Sequence, residues 1–255
     1  PELYITHPGI GRLQKQDILP SSNFVWEYND QMNIRAGYTE TLARPDLREL
    51  SNFGFTPYFN GERLFGNPDL SRTYIHNYDL RWEWYLPADN YVAVGGFYKL
   101  LSHPIESIGV LSSGGFGQDF TFANANNGVI KGIEVELRKY LTDRLGAELN
   151  LFFIRSEVEV MSWSDRELIR IGFVDPRSSR ALYNPTNLSR PLQGQSPYVY
   201  NMKLSYYFTQ DKKTSASLLY NVFGDRLYSV GTAGFPDTIE KSAGILDAVF
   251  QSAIG

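Results

Sequence analysis

A strict two-residue alternation in one short run constrains the fold of this chain more than any other feature. From Asn77 to Trp84, the even positions carry Tyr, Leu, Trp and Trp, whereas the odd positions carry Asn, Asp, Arg and Glu. Successive side chains of a β-strand point to opposite faces, so this run predicts a strand with one apolar and one charged face. Such a strand fits a soluble sheet whose apolar face covers a protein core. It equally fits a membrane barrel whose apolar face meets lipid.

The same alternation recurs along the chain and predicts an antiparallel all-β fold. Short turns join successive runs into hairpins, which is the pattern of neighbouring antiparallel strands. Nine strands are predicted, at Asp17–Tyr28, Met32–Leu42, Ser71–Leu86, Tyr91–Lys99, Val129–Leu141, Leu145–Val160, Pro197–Phe208, Thr214–Tyr228 and Gly244–Gly255. These runs are longer than the five or six residues of typical soluble strands. They are long enough to cross a bilayer as tilted strands.

The connections between the predicted strands alternate in length, which favours a membrane barrel. Turns of three or four residues alternate with long connections at Arg44–Leu70, His103–Asn127, Met161–Ser196 and Gly231–Ala243. Long irregular loops are uncommon in compact soluble domains. A bacterial outer-membrane barrel, by contrast, has short turns at one rim and long loops at the other. An odd number of strands does not close such a barrel, so we expect the sequence to be truncated at both ends.

Composition excludes several classes of function. The net charge of −4 argues against a nucleic-acid partner, which requires a basic surface. The chain has no cysteine, so disulfides, thiolate metal sites and cysteine nucleophiles are absent. His7, His76 and His103 lie far apart, and no catalytic triad or carboxylate pair stands out. We therefore predict no enzyme, no metal site and no cofactor.

Several segments, in the same order along the chain, resemble TonB-dependent outer-membrane receptors. The segments that carry this resemblance are Thr39–Leu50, Gly66–Leu70, Tyr74–Glu83, Phe97–Lys99, Pro104–Glu106 and Tyr220–Arg226. The resemblance implies an antiparallel transmembrane β-barrel, here a partial barrel of about nine strands from a 22-stranded parent. Residues 1–255 would then form the C-terminal half of the barrel domain, at about strands 12 to 20, without the plug and the first half.

The resemblance also implies a function and a location. Such receptors lie in the outer membrane of Gram-negative bacteria and take up scarce nutrients with energy passed through TonB. The implied partners are outer-membrane lipid, the plug domain of the same protein, TonB through the missing N-terminal region and, as an open alternative, a surface lipoprotein. The substrate stays open among siderophores, cobalamin, glycans and peptides.

Two groups of residues are candidates for function. The charged positions of the alternating strands should point into a lumen, where they either line a translocation path or form salt bridges to a plug and to neighbouring strands. Charges on the lipid side would each cost about 2–4 kcal/mol at mid-depth. These lumen candidates are Arg35, Asp79, Arg81, Glu83, Glu134, Glu136 and Arg138.

The second group lies in the long connections and is expected to contact substrate. Arg44 and Arg48 either line a ligand chamber or belong to a structural turn where a strand leaves the membrane. Tyr58, Phe59, Phe65 and Trp163 either stack on a sugar or an aromatic siderophore or pack loop against loop.

Two alternatives to the receptor remain at this stage. The first is a soluble, aromatic-rich β-domain that binds glycans, which would need a second protein layer on its apolar face. The second is a passive porin or an adhesin barrel.

Overall fold

The computed structural model describes residues 16–51, 53–56, 63–111, 118–159, 189–231 and 236–253. No helix within these ranges is long and apolar enough to cross a membrane. Strands dominate the described residues. They are β1 (Ser21–Asn29), β2 (Met32–Ala43), β3 (Gly54–Phe55), β4 (Leu64–Phe65), β5 (Thr73–Leu86), β6 (Asn90–Ser102), β7 (Ile105–Leu111), β8 (Gln118–Asn124), β9 (Asn127–Thr142), β10 (Leu145–Glu159), β11 (Ser189–Arg190), β12 (Tyr198–Tyr207), β13 (Ser215–Phe223), β14 (Arg226–Ser229), β15 (Thr238–Glu240) and β16 (Ala243–Gln251).

The long strands form one antiparallel sheet. Within the described residues its order is β1-β2-β5-β6-β9-β10-β12-β13-β16, with β11 beside the end of β10. In the same part of the chain, β1 pairs only with β2 and β16 only with β13, so the sheet is a partial barrel that does not close. Each of the nine predicted strands corresponds to one strand of this sheet, which confirms the all-β antiparallel fold class.

The register lines up apolar side chains across the sheet. One row runs through Met32, Trp84, Val92, Leu137, Leu149, Met202, Tyr220 and Leu246. We call the face that carries this row the apolar face. Its large side chains are open to the surroundings, since Leu80 is 59% exposed, Ile133 54% and Leu246 68%. In the described residues, therefore, no second protein layer covers this face as a soluble sandwich would require.

The opposite face, here the polar face, carries the charged positions. One row crosses it through Asn33, Glu83, Ala93, Glu136, Asn150, Asn201 and Asn221. A one-residue slip in register would exchange the two faces, so the pairing and the two-sided pattern determine each other.

Aromatic side chains occupy two levels of the apolar face. Near the long connections, the ring of Tyr78 lies 5.1 Å from that of Tyr38 and 6.5 Å from that of Tyr98. Near the short turns, Trp82 and Trp84 lie 6.1 Å apart. The six-residue step from Tyr78 to Trp84 spans roughly 20 Å of strand. This spacing is close to the apolar band of about 25 Å between the aromatic girdles of an outer-membrane barrel.

A small second sheet lies within the long connections and contains much of the buried core. Its order is β3-β4-β8-β7, and the β4–β8 pair is parallel. Ile108, Phe120, Leu227 and Val230 are buried here or close to it. Arg190 of β11 donates two hydrogen bonds to Glu106 of β7, at 2.9 and 2.6 Å, and both side chains are buried. Sequence analysis did not predict these strands.

Candidate functional site

A cluster of charged side chains occupies the centre of the polar face. Arg35 Nε lies 2.8 Å from Glu83 Oε2, and Arg81 Nε lies 3.3 Å from Glu83 Oε1. Arg81 also reaches Glu134 at 3.4 Å and Glu136 at 2.5 Å. Two positive and three negative charges thus form one connected set with a net charge of −1. We call these five residues the polar-face network.

Small residues on β6 allow this network to cross a strand. Arg81 on β5 lies opposite Gly95, which in turn lies opposite Glu134 on β9. A Cβ built on Gly95 would lie 3.8 Å from Arg81 Cγ, so the arginine stem passes directly over this glycine. Ala93, between Glu83 and Glu136, is fully buried. The small side chains of β6 therefore leave room for ion pairs between β5 and β9.

The structure brings together five of the seven predicted lumen residues and leaves two apart. Arg35, Arg81, Glu83, Glu134 and Glu136 form the polar-face network. Asp79 and Arg138 are exposed, and neither has an ion pair among the described residues.

Two tyrosines that form hydrogen bonds with this network were not among the predicted site residues. Tyr85 Oη donates to Glu83 Oε2 at 3.0 Å, and Arg81 Nη2 donates to Tyr91 Oη at 3.1 Å. The two tyrosines pair directly across the β5–β6 turn. Their odd numbers place them on the same face as Arg81 and Glu83, so the parity of the alternation was the signal that could have found them.

A second polar patch on the same face was also missed. Lys203 Nζ lies 3.0 Å from Glu148 Oε1. Asn221 donates to Asn201 beside it, and the buried Oδ1 of Asn150 has no hydrogen-bond partner among the described residues. These residues line a cavity of about 320 Å³ together with Asp247. These residues alternate with the apolar residues of β10 and β12, so the two-residue alternation could have identified them.

Arg44 and Arg48 flank a tight turn in the first long connection. Leu50 N donates to Asp46 O at 3.1 Å, and Asp46 N donates to Glu49 Oε2 at 2.8 Å. Gly66 packs against this turn so closely that an added Cβ would lie 2.2 Å from Ser51 O. Hydrogen bonds and close packing therefore hold this turn in place.

The two arginines differ in their surroundings. The Arg44 side chain is 64% exposed and lies 3.9 Å from the carboxylate of Asp17. Arg72 already forms an ion pair with that carboxylate. The Arg48 guanidinium lies 5.9 Å from the ring centre of Phe55, and Arg63 lies 5.2 Å from that of Phe65. Phe53 is exposed beside Phe55, with ring centres 6.4 Å apart. We call Arg48, Phe53, Phe55, Arg63 and Phe65 the loop platform.

The other aromatic candidates and the histidines lie elsewhere. Tyr58, Phe59, Trp163 and His7 lie outside the described residues. His76 Nδ1 lies 3.1 Å from Tyr38 Oη and 3.5 Å from Glu40. The described residues contain no group of three or more histidine and carboxylate side chains placed to hold a metal ion.

A short hairpin at the last long connection is held by one half-buried and one exposed ion pair. Arg226 of β14 binds Glu240 of β15 at 2.7 and 2.9 Å, and Lys241 binds Asp225 at 2.8 Å. The hydrogen bond from Arg226 lowers the pKa of Glu240, and that from Lys241 lowers the pKa of Asp225. Both carboxylates are therefore ionised at neutral pH.

Together, these features define a class of protein. A sheet with one uncovered apolar face, two aromatic levels and a charged opposite face is the wall of a transmembrane β-barrel. The chain belongs to the TonB-dependent receptor-like β-barrel family, which matches residues 7–250. Members of this family are receptors of the Gram-negative outer membrane.

Solved structures show the same fold at low sequence identity. A variant of the ferric enterobactin receptor PfeA from Pseudomonas aeruginosa has a TM-score of 0.53 and 18% identity, over 90% of this chain and 32% of that chain. The siderophore receptor PirA from Pseudomonas aeruginosa has a TM-score of 0.55 and 16% identity, over 90% and 35%. The copper transporter OprC has a TM-score of 0.57 and 15% identity, over 89% and 30%.

This chain thus spans about a third of the length of the receptors that it matches. No curated protein sequence matches it.

Proposed function

We propose that this chain forms the C-terminal part of the barrel of an outer-membrane receptor that takes up a scarce nutrient with energy from TonB. The observation that carries the proposal is the family match over residues 7–250 on a sheet whose apolar face is uncovered. An uncovered apolar face disfavours the soluble glycan-binding alternative. In a soluble protein that face would be exposed to water, at a large cost in free energy.

In this proposal the polar face lines the lumen. The polar-face network would hold the wall rigid and present carboxylates to the plug domain. Arg81 is shared by three carboxylates, so its position is fixed from several directions. Asp79 and Arg138, which have no ion pair among the described residues, would be available to the plug or to a passing substrate.

The loop platform would contact the substrate at the outer rim. Arginines beside aromatic rings, of which Phe53 is exposed, suit a ligand that is anionic and aromatic, because the guanidinium attracts the charge and the ring stacks. Arg44 would add a further positive charge. A ferric siderophore of this chemistry is the favoured substrate, and two of the similar structures are described as siderophore receptors. Tyr58, Phe59 and Trp163 are proposed to take part in the same site.

Uptake by the full-length receptor in cells tests the function. A strain that lacks the gene is complemented with the gene and supplied with radiolabelled ferric enterobactin as an anionic aromatic complex. Accumulation should require the gene and should stop when a protonophore or deletion of tonB removes the energy. Accumulation that persists without TonB would support the passive porin instead, and accumulation that is independent of the gene would refute uptake of this ligand.

The role of the loop platform is tested by Arg48→Gln with Arg63→Gln. We expect the apparent KM for uptake to rise roughly tenfold with little change in maximal rate, since the lost contacts act on binding. Arg144→Gln, in the turn after β9 at the opposite rim, is the matched control and should behave as the unmodified receptor. Equal KM values for the double variant and the control would show that the loop platform does not bind the substrate.

A further inference from the structure

Two cations face each other on the apolar face of the sheet. Lys131 of β9 lies directly opposite Arg155 of β10. Each is two residues from a large apolar side chain on the same face, Ile133 and Phe153 respectively, and both cations are exposed. Like charges directly opposite each other on antiparallel strands are destabilising. A neutralising anion would remove this repulsion.

No carboxylate of the described residues lies within ion-pair distance of either cation. Neither the Lys131 nor the Arg155 side chain forms a hydrogen bond or an ion pair within the described part of the chain. Glu157, on the same face, accepts a hydrogen bond from Ser189 Oγ at 2.7 Å. Elsewhere on this face, Glu40 accepts a hydrogen bond from Tyr38 Oη at 2.5 Å and lies 3.5 Å from His76 Nδ1. Lys131 and Arg155 therefore face each other without an ion-pair partner among the described residues.

An apolar groove begins at this pair. It has a volume of about 680 Å³, and Lys131 and Arg155 contribute to its lining. Its lining includes Tyr78, Leu80, Gly96, Tyr98, Ile133 and Phe153 of the apolar face. Gly96 forms an opening between its larger neighbours Leu80 and Ile133, since a Cβ built there would meet only Gly132 O at 3.9 Å.

The depth of the pair matches a lipid headgroup. Lys131 and Arg155 lie beyond Ile133 and Phe153 on the side of the long connections, at the end of the tyrosine level that contains Tyr78 and Tyr98. Aromatic girdles mark the membrane interface, so cations in the same row lie at the level of the lipid headgroups. This step depends on the proposed function, because it takes the apolar face to be embedded in the membrane.

We propose that Lys131 and Arg155 bind the phosphate of a membrane lipid, one of whose acyl chains lies in the groove over Gly96. The ammonium and guanidinium groups donate charge-assisted hydrogen bonds to the phosphate oxygens. The phosphate neutralises both cations, and the groove distinguishes a lipid from free phosphate.

Lipid titration of the full-length receptor tests the proposal. The receptor is placed in nanodiscs of phosphatidylcholine and titrated with lipid A that carries two phosphates or with the same lipid after dephosphorylation. Bound lipid is counted by native mass spectrometry. We expect Lys131→Gln with Arg155→Gln to weaken binding of the phosphorylated lipid by roughly 10- to 30-fold. Binding of the dephosphorylated lipid should not change.

Lys139→Gln with Arg144→Gln is the matched control, because it removes the same charge near the short turns at the opposite membrane interface. It should leave the affinity unchanged. Equal affinity in the two double variants would overturn the proposal. Lys131→Arg with Arg155→Lys keeps both charges and should restore binding, which excludes a general folding defect.

A third variant tests the groove. Gly96→Leu should fill the groove without a backbone clash and weaken binding of the phosphorylated lipid while both cations remain. An unchanged affinity in this variant, or displacement of the lipid by inorganic phosphate at equal concentration, would overturn the acyl-chain part of the proposal.

The outcome is separable from that of nutrient uptake. Loss of lipid binding in a receptor that still imports its ligand would support the site on the outer wall. A receptor that binds the lipid but fails in TonB-dependent uptake would refute the proposed transport and leave the lipid site standing.

Discussion

The two cation pairs of this sheet lie on opposite faces and are neutralised in different ways. On the polar face, Arg35 lies directly opposite Arg81, and Glu83, Glu134 and Glu136 neutralise them. On the apolar face, Lys131 lies opposite Arg155, and no carboxylate of the described residues pairs with them. The polar face therefore satisfies its charges within the protein, whereas the apolar face depends on its surroundings.

The difference follows from what each face contacts. A water-filled lumen is enclosed by the protein itself, so neighbouring strands can supply counter-charges of their own. The outer face, by contrast, meets lipid rather than protein. The membrane surface can provide an anion there instead.

Loss of Arg81 should have the largest effect on stability. Arg81→Met keeps the stem that crosses Gly95 but leaves three carboxylates without their shared partner. We expect the free energy of unfolding to fall by about 2–3 kcal/mol, less than for a fully buried pair because the side chain is 25% exposed. Urea unfolding of the receptor in lipid vesicles measures this change.

Arg138→Met is the control on the same face, since Arg138 has no ion pair among the described residues. It should change the free energy of unfolding by less than about 0.5 kcal/mol. If both variants lost the same stability, the internal neutralisation of the polar face would be wrong.

Two glycines extend the comparison to packing. A Cβ on Gly132, on the polar face, would lie 2.5 Å from both Phe153 O and Phe97 Cζ, whereas a Cβ on Gly96 would enter the open groove. Gly132→Ala should lower the free energy of unfolding by about 1–3 kcal/mol through overpacking. Gly96→Ala should leave it unchanged or slightly raised. The same urea titration measures both variants. A larger loss of stability for Gly96→Ala than for Gly132→Ala would contradict the assignment of the faces.

Removal of the unneutralised pair should have a smaller effect, and its sign should depend on the lipid. In zwitterionic detergent, Lys131→Gln with Arg155→Gln should raise the free energy of unfolding by about 0.2–1 kcal/mol, because repulsion is relieved. In vesicles that contain phosphorylated lipid the same variant should be less stable than the unmodified receptor. A variant that is destabilised equally in both media would show that the two cations do not repel each other.

The smallest effect concerns the hairpin of β14 and β15. The pKa values of Asp225 and Glu240 are lower in the folded hairpin than in an unfolded chain. Their stabilisation is therefore complete above the ordinary values of about 4 and is lost as the pH falls through the folded values. A spin label at Thr238→Cys should become more mobile as the pH falls through the folded pKa values.

Arg226→Gln with Lys241→Gln is the control for this titration. It should give a label that is mobile at every pH, with no step between neutral and acidic solution. A step of the same size in both proteins would show that other groups control the hairpin.

The main sheet could be predicted from the sequence because each of its strands carries its own alternation. Asn77 to Trp84 is sufficient to assign both faces of β5, and the short turns determine the pairing partner. The ends of the strands depend on contacts that lie outside the local alternation. A single strand was predicted for Thr214–Tyr228, but β13 ends at Phe223, and the ring of Tyr198 leaves no room for a Cβ on Gly224. The chain then forms the separate strand β14.

The small sheet and the ion pairs depend on partners that are distant in sequence. Phe120 and Phe122 alternate with Asp119 and Thr121 in β8, but the parallel partner of that strand is the two-residue β4. The alternation placed Arg81 on the charged face. It did not show that Gly95 would let Arg81 reach β9, because this requires the register of three strands.

The central claim, that the apolar face contacts lipid and the polar face an enclosed aqueous space, can be tested at two adjacent residues. These 255 residues contain no cysteine, so in a receptor from which any other cysteine is removed, Asp79→Cys and Leu80→Cys each introduce a single thiol on β5. In proteoliposomes the account predicts that a water-soluble maleimide labels position 79, whereas a bimane at position 80 is quenched by brominated lipid. Quenching at position 79 together with maleimide labelling at position 80 would contradict it.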